Sequence, residues 1–197
     1  MPRLLTFLLG FGIGLAGDAC HVASGTTVYD WDGVPTLWNS AIWFPFVVGI
    51  AVLGAAEVGS RLDVPSRTRT RVDVVLGSAV VLALYALTAT LRGQPTTVSV
   101  VLCGAIAIAV WAWWDPTPRS LAVAVGAAIL GPVAEMGVVA AGASHYTNGS
   151  DALGGVAPWL PCLYFAAGAV ASGVLAAWDV SGAVTPSPSD AARPPVR

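Results

Sequence analysis

Residues 158–178, which read PWLPCLYFAAGAVASGVLAAW, decide the fold class, because they form an uncharged segment long enough to cross a bilayer. At about 1.5 Å per residue, a helix over this segment spans the ~30 Å hydrocarbon core. Pro158 and Pro161 fall in the expected first turn, where a missing N–H breaks no intrahelical hydrogen bond. We therefore predict one uninterrupted helix, with Trp159 and Trp178 as its two interfacial anchors.

The composition of the whole chain places it in a membrane. It is 56% hydrophobic and only 10% charged, and its mean hydropathy is +0.75. A chain this apolar uses lipid as its solvent. Its nine cationic residues are all arginines, scattered along the chain, and this argues against a nucleic-acid partner. The absence of lysine beside abundant Ala, Val and Gly is typical of GC-rich bacterial coding, so we expect a multi-pass protein of the bacterial plasma (inner) membrane.

Five further apolar segments predict an all-α fold, a bundle of six transmembrane helices within residues 1–180. The first segment resembles a secretory signal peptide, but Asp18 occupies the possible cleavage site, so we interpret it as a retained helix. Pro45 is expected to interrupt the second helix. The predicted helices cover about residues 4–23, 37–58, 72–91, 97–114, 120–143 and 157–178. Residues 181–197, rich in Pro, Ser and Ala, are predicted to form a disordered cytoplasmic tail.

The distribution of arginines predicts the orientation of the bundle. The positive-inside rule places all but Arg92 on the cytoplasmic side. These residues are Arg3, Arg61, Arg67, Arg69, Arg71, Arg119, Arg193 and Arg197. Both termini are then cytoplasmic, an N-in/C-in arrangement.

The motifs of common membrane enzymes are missing from the sequence. It contains no HExxH, no GxSG, no CxxC and no phosphate-binding loop. Cys20, Cys103 and Cys162 lie in apolar segments without metal-ligand spacing, and we interpret them as inert buried thiols. We expect no catalysis, no cofactor and no metal site.

Four ionisable side chains fall at membrane depth, where each one is a candidate for function because its burial is costly. Glu57 lies near the cytoplasmic end of its helix and four residues before Arg61, which predicts an interfacial ion pair. Asp18 and His21 are three residues apart and share a helix face. Glu135 lies at a comparable height in a helix of the same direction, so all three belong to the outer half of the membrane.

Two interpretations of Asp18, His21 and Glu135 remain open. They could satisfy one another as structural contacts, or they could line a cavity that holds a ligand. Pro132 and Pro45 favour a cavity, because each removes a helical hydrogen bond and frees a carbonyl that needs a partner in lipid.

Four stretches of the chain read SAIWFP at 40–45, WWD at 113–115, HYT at 145–147 and WLPC followed by LYFAAG at 159–168. In order and in spacing they resemble the SAWW-x-P, WW…D…RS, QYT and SWLPC-x-FFAGG stretches of the Insig (insulin-induced gene) membrane proteins. The similarity to that family covers about residues 1–180.

The resemblance implies a six-helix membrane sensor that binds a sterol or other lipid among its helices. In animals the family retains sterol-sensing partners in the endoplasmic reticulum. Two positions depart from the pattern: Asp115 follows Trp114 directly, displaced from the family's acidic residue, and His145 replaces the QYT glutamine. The protein partner of this chain is therefore unknown.

We therefore predict a non-enzymatic lipid-binding protein, with a sterol-like or two-tailed neutral lipid such as diacylglycerol as its partner. We expect the lipid hydroxyl to bind Asp18, His21 or Glu135, because specificity inside a membrane comes from polar contacts and shape. The expected lipid-tail contacts are small-residue helix surfaces that include Phe11, Leu15 and Val48.

The same sequence is also compatible with two other functions and with a homo-oligomer. A small proton-coupled transporter would use carboxylates such as Asp18 and Glu135. An interaction scaffold would carry no bound lipid. The small-residue face of Gly10 and Gly14 allows a homo-oligomer.

Overall fold

The computed structural model describes residues 1–31, 33–64, 66–147 and 149–179, and within them the chain is mostly helical. Six segments are long and apolar enough to cross a membrane, with α6 and α7 together forming the sixth, which confirms the predicted six-helix membrane fold. The helices are α1 (Pro2–Ala23), α2 (Trp43–Arg61), α3 (Arg71–Thr90), α4 (Thr96–Trp114), α5 (Pro118–Ala140), α6 (Leu160–Ala171) and α7 (Val174–Asp179). The predicted disordered tail, 181–197, lies outside the described residues.

Four short strands add two small sheets to the predicted helices. They are β1 (Thr27–Tyr29), β2 (Thr36–Leu37), β3 (Ser40–Ala41) and β4 (Ser144–Tyr146). β1 pairs antiparallel with β4, and β2 pairs antiparallel with β3. We call the end of the bundle that carries β1 and β4 the sheet end. The opposite end, where residues 61–71 join α2 to α3, is the arginine end.

Helix α6 is the centre of the bundle. In the α6–α7 span 61% of the residues in its most apolar window are buried, against 44% or less in the other five spans. Small residues allow this packing: a Cβ added at Gly168 would lie 2.6 Å from the Cβ of Ala127 in α5, and one at Gly59 in α2 would lie 2.6 Å from the carbonyl oxygen of Ser172. Larger side chains at these positions would push the neighbouring helices apart.

The prediction of one uninterrupted helix over residues 158–178 was wrong. A turn at Ser172 and Gly173 separates α6 from α7, and there the Ser172 hydroxyl donates to the carbonyl of Ala169 (2.7 Å). One of the two predicted Trp anchors also differs from expectation, because a lipid-facing anchor needs exposure and Trp159 is 3% exposed inside the bundle. Trp178 is half-buried, and its indole N–H donates to Thr6 (3.2 Å).

The second helix begins six residues later than predicted, at Trp43. Residues 36–41 instead form the β2–β3 hairpin, whose turn residues Trp38 and Asn39 have positive φ angles of 50° and 68°. Two left-handed residues in succession are typical of a type I′ hairpin turn and incompatible with a helix. Pro45 consequently lies in the first turn of α2 and does not interrupt it.

The Gly10–Gly14 face packs within the chain. Cβ atoms added at Gly10 and Gly14 would lie 2.7 Å and 2.6 Å from the Cβ atoms of Val52 and Val48 in α2. This face is therefore used for the α1–α2 contact, and a contact between copies needs another surface.

Helix α5 is shorter than predicted. It stops at Ala140, three residues before the predicted end, because the chain turns there toward β4 at the sheet end.

Candidate functional site

A small polar cavity lies at the sheet end, beneath β1 and β4. Its volume is about 20 Å³, and Asp18, His21 and Glu135 all line it. The three predicted residues thus come together although Glu135 lies far from the other two in the sequence. The rest of the lining consists of Thr27, Tyr29, Trp43, Phe44, Tyr85, Ser144, Tyr146 and Leu160.

Asp18 is held by a tyrosine from the sheet. It is 4% exposed, and the hydroxyl of Tyr29 in β1 donates to its Oδ2 (2.7 Å). Burial, and after it the charge of Asp18, raise the pKa of the Tyr29 hydroxyl well above its ordinary value. Tyr29 therefore keeps its proton and remains a donor at any physiological pH.

Glu135 has a matching partner on the other strand. The hydroxyl of Tyr146 in β4 donates to Oε2, and that of Tyr164 in α6 donates to Oε1 (2.6 Å). Burial and the neighbouring Glu135 raise the pKa of Tyr146 in the same way. Each carboxyl group is therefore tied to the strand that follows its own helix.

His21 is bound inside the bundle by α3. It is 3% exposed, and its Nε2 lies 2.9 Å from the hydroxyl oxygen of Thr88. Thr88 donates its only hydroxyl proton to the carbonyl of Tyr85 (2.8 Å), so it must accept from His21. This places a proton on Nε2 and orients the ring, which also contacts the rings of Tyr85 and Trp159.

These contacts bear on the alternative that Asp18, His21 and Glu135 satisfy one another. The hydrogen bonds of their side chains go to tyrosine and threonine hydroxyls, and Ser40 beside Asp18 and the backbone of Tyr85 beside His21 are further polar neighbours. The three groups share a cavity without being one another's partners.

Two residues that line the cavity have a fully buried polar side-chain atom without a hydrogen-bond partner among the described residues. The two groups are the hydroxyl of Thr27 and the indole N–H of Trp43. Buried polar groups are normally paired, and an unpaired one is costly in a protein interior. Carboxyl oxygens and unpaired donors therefore lie close together in the wall of the cavity.

The residues predicted to contact lipid tails lie elsewhere. Phe11 packs edge-on against Phe46, with ring centroids 5.0 Å apart, and Val48 packs against Gly14. Leu15 is 6% exposed. None of the three lines the polar cavity. Their role in tail binding stays a prediction.

Glu57 lies apart from the cavity, as predicted. At the arginine end, its carboxylate pairs with Arg3 (2.5 Å) and with Arg61 (3.5 Å). The Arg61 contact confirms the expected i, i+4 ion pair.

Sequence reasoning missed the hydroxyl partners of the site. Tyr29 and Tyr146 each follow their carboxylate by 11 residues, and this shared spacing was the available signal. Thr88 and Tyr164 sit in apolar helices, where nothing in the local sequence distinguishes them from packing residues.

Comparison with known proteins identifies relatives along almost the whole chain. No family model matches. The INSIG protein homolog of Mycolicibacterium vanbaalenii is 40% identical over 170 residues, which cover 86% of this chain and 82% of the relative. The crystal structure of a mycobacterial Insig homolog, MvINS from Mycobacterium vanbaalenii, matches with a TM-score of 0.87 and 36% identity, covering 93% of this chain and 96% of that one. A crystal structure of a cross-linked MvINS trimer matches equally well.

Proposed function

Because the chain belongs to the Insig family, we propose that it is a non-enzymatic lipid-binding protein that holds a sterol-like or diacylglycerol-like lipid among its helices. The observation that carries the proposal is the sheet-end cavity. It combines the carboxyl groups of Asp18 and Glu135 with two unpartnered donors, Thr27 and Trp43. A lipid hydroxyl can donate to a carboxyl oxygen and accept from either free donor.

The size of the cavity restricts what enters it. About 20 Å³ is room for one water-sized group, so a hydroxyl fits and a ring or chain does not. The lipid body would then lie against the apolar helix faces, and the hydroxyl would be its only deeply buried polar part. Two neighbouring carboxyl groups disfavour a phosphate, which favours an uncharged lipid.

We place the arginine end on the cytoplasmic side and the cavity toward the outer side of the plasma membrane. The support is the arginine distribution and the position of Arg92. Arg92 lies at the sheet end, where it donates to the carbonyl of Gly25 (2.8 Å). The remaining arginines of the described residues lie at the opposite end.

The chain is further proposed to act as a homotrimer. The support is the similarity to the MvINS chain that was crystallised as a cross-linked trimer. Cross-linking of the protein in native membranes tests this: bands at three times the monomer mass are expected, and a monomer at all cross-linker concentrations would contradict it.

The direct test is native mass spectrometry of mildly solubilised protein, followed by extraction and identification of the retained lipid. We expect one uncharged lipid per chain. Glu135→Gln should lower retention about tenfold, the effect of losing a hydrogen bond worth ~1.4 kcal/mol. Glu57→Gln is the matched control, since Glu57 is paired at the far end of the bundle, and it should retain lipid normally.

Two results would overturn the proposal. Wild-type protein that carries no stoichiometric lipid would remove the tight-binding function, and proton flux in liposomes that Asp18→Asn abolishes would favour a transporter instead. Equal retention by Glu135→Gln and Glu57→Gln would remove Glu135 from the site.

A further inference from the structure

The arginine end turns its carboxylates inward and its arginines outward. Glu57 and Asp73 are half-buried and Asp115 is buried. Their oxygens accept hydrogen bonds within the molecule: Asp73, for example, accepts the backbone N–H of Thr70, the N-cap of α3 (2.8 Å). The side chain of Arg61 is in contrast 79% exposed. The outer surface of this end is therefore more positive than the balance of its acidic and basic residues indicates.

Two exposed arginines of this surface are not neutralised. Arg67 donates from one terminal nitrogen to the carbonyl of Trp113 (3.1 Å), and the guanidinium carbon of Arg71 lies 6.0 Å from the centre of a Trp178 ring. No carboxylate of the described residues forms an ion pair with either side chain. A guanidinium carries five N–H donors, so both arginines keep donors for a further acceptor.

A third guanidinium increases the positive charge beside Arg67. Arg69 donates to the same Trp113 carbonyl (2.9 Å), so donor nitrogens of the two arginines lie within about 6 Å of each other. The backbone from Arg67 to Arg71 spans at most about 14 Å between Cα atoms. These positive charges therefore form one patch, which is defined here by Arg67 and Arg71.

The patch lies where the membrane-spanning segments end. Arg71 is the first residue of α3, and Trp113 is the last residue but one of α4. Just inside the span, Val72 and Val75 are 67% and 63% exposed, an apolar surface that suits the hydrocarbon of a bilayer. The two arginines consequently stand at the level of lipid headgroups, above a surface that suits acyl chains.

This combination of charge and depth identifies a partner. We propose that Arg67 and Arg71 bind the phosphate of an anionic phospholipid in the leaflet that the arginine end faces. Phosphate oxygens accept charge-assisted hydrogen bonds from guanidinium groups, and the acyl chains lie against the apolar surface below. A free phosphate would leave that apolar surface unused. The site goes beyond the proposed function, because it takes a charged lipid at the membrane surface and not an uncharged one inside the bundle.

Native mass spectrometry of the full-length protein tests the proposal by competition. The probes are phosphatidylglycerol and phosphatidylcholine with the same acyl chains, added in equal amounts to the mildly solubilised protein. The wild type should prefer phosphatidylglycerol about 25-fold, or about fivefold per arginine, the factor that corresponds to ~1 kcal/mol for each cation near an anionic headgroup. Equal retention of the two lipids would overturn the proposal.

Two additions to the competition identify the source of the phosphate. Raising the ionic strength to about 1 M, where the Debye length is ~3 Å, should remove most of the preference. Inorganic phosphate at constant ionic strength should leave it unchanged. Displacement of phosphatidylglycerol by inorganic phosphate would identify a free anion as the occupant and contradict the lipid site.

Arg67→Gln and Arg92→Gln are a matched pair, because each removes one exposed positive charge. Arg92 lies at the sheet end, where it donates to the carbonyl of Gly25. Arg67→Gln should lower the preference about fivefold, and its amide N–H can still donate to the Trp113 carbonyl. Arg92→Gln should leave the preference at the wild-type value. Equal losses in both variants would show that the net charge of the chain sets the preference, which would contradict the patch.

Arg71 supplies a comparison of charge with packing. Arg71→Gln should lower the preference about fivefold, whereas Arg71→Lys should keep most of it, because Lys and Arg attract an anionic headgroup about equally. A Lys variant as weak as the Gln variant would show that Arg71 acts through its contact with Trp178 and would remove it from the site.

The proposal and the proposed function can fail separately. Arg67→Gln should leave the uncharged lipid bound, and Glu135→Gln should leave the preference for phosphatidylglycerol unchanged. Loss of both lipids in Arg67→Gln would contradict a separate headgroup site. Absence of an uncharged lipid from the wild type, with the preference for phosphatidylglycerol intact, would overturn the proposed function alone.

Discussion

The two ends of the bundle bury polar groups for different purposes. At the sheet end, tyrosine hydroxyls from two strands hold the carboxyl groups of Asp18 and Glu135 around a cavity. At the arginine end, buried guanidinium groups donate to backbone carbonyls where helices stop. Arg119 donates to Ser172 at the end of α6 (2.8 Å), and Arg69 donates to Trp113 near the end of α4 (2.9 Å).

The difference separates a site from a structural joint. Helix ends leave carbonyls without intrahelical partners, and cationic side chains satisfy them and complement the helix dipole. Asp115 belongs to this joint: it is 2% exposed and accepts the backbone N–H of Arg67 (3.2 Å). Both ends keep buried donors without partners, the Nε atoms of Arg69 and Arg119 at this one, so what distinguishes the sheet end is a cavity lined by two carboxyl groups.

The largest expected effect is at the arginine end. Trp114 is fully buried, beneath the guanidinium of Arg69 at 4.8 Å. Trp114→Ala should lower the free energy of unfolding by about 3–5 kcal/mol, because it leaves a large cavity. Unfolding in mixed detergent micelles measures this. Trp113→Ala, next to it but 42% exposed, is the control and should cost much less. Equal losses of unfolding free energy in the two variants would show that burial of the ring does not determine its contribution to stability.

Arg119→Met should have the second-largest effect on stability. The change keeps an apolar stem of similar length but leaves the Ser172 carbonyl without its donor, so we expect a loss of about 1–3 kcal/mol. Lipid retained per folded chain should stay at the wild-type value. A variant of normal stability that retained less lipid would break the comparison, since it would place the arginine end in the binding site.

Tyr146→Phe tests the sheet end with a smaller change. The ring keeps its packing, but Oε2 of Glu135 loses a donor, for an expected loss of about 1 kcal/mol in stability. Added diacylglycerol should reduce this loss, because its hydroxyl can donate to the vacant oxygen. Thermal unfolding with and without diacylglycerol measures the difference. A loss that diacylglycerol leaves unchanged would argue against a lipid hydroxyl in the cavity.

His145→Gln should have the smallest effect. The imidazole Nδ1 lies 2.8 Å from Asp30, but the two side chains are 49% and 38% exposed. Exposed pairs contribute about 0–1 kcal/mol, so stability should change by less than that and lipid retention not at all. Unfolding and lipid extraction on the purified variant check both. A clear loss of lipid would extend the site outward to the β1–β4 surface.

Much of the fold could be predicted because membrane spans are local features. An apolar run of about 20 residues identifies a helix without knowledge of its neighbours. The errors arose where a turn or a hydrogen bond interrupts a segment that is apolar enough to continue as a helix. Residues 37–42 are apolar enough to extend α2, but Trp38 and Asn39 turn the chain into a hairpin. Residues 158–178 are apolar throughout, but the contacts of Ser172 allow a turn in the middle of the span.

The residues of the candidate site likewise fall into those that the sequence could identify and those that it could not. Asp18, His21 and Glu135 could be selected from the sequence because an ionisable residue in an apolar helix is conspicuous and its height follows from the helical rise. Tyr164 and Thr88 could not be selected, because an isolated hydroxyl in an apolar helix carries no such signal.

The sequence by itself determined that this protein lies in a membrane, that it has six spans and that three polar residues lie at a similar depth in it. Only the tertiary structure decided which groups those residues bind, because the partners come from segments far apart along the chain. Pairing of β1 with β4 sets Thr27 opposite Tyr146 and so brings both tyrosine hydroxyls over the carboxyl groups. Helix periodicity acts over a few residues, whereas strand pairing joins positions more than 100 residues apart. The cavity is therefore a property of the folded bundle.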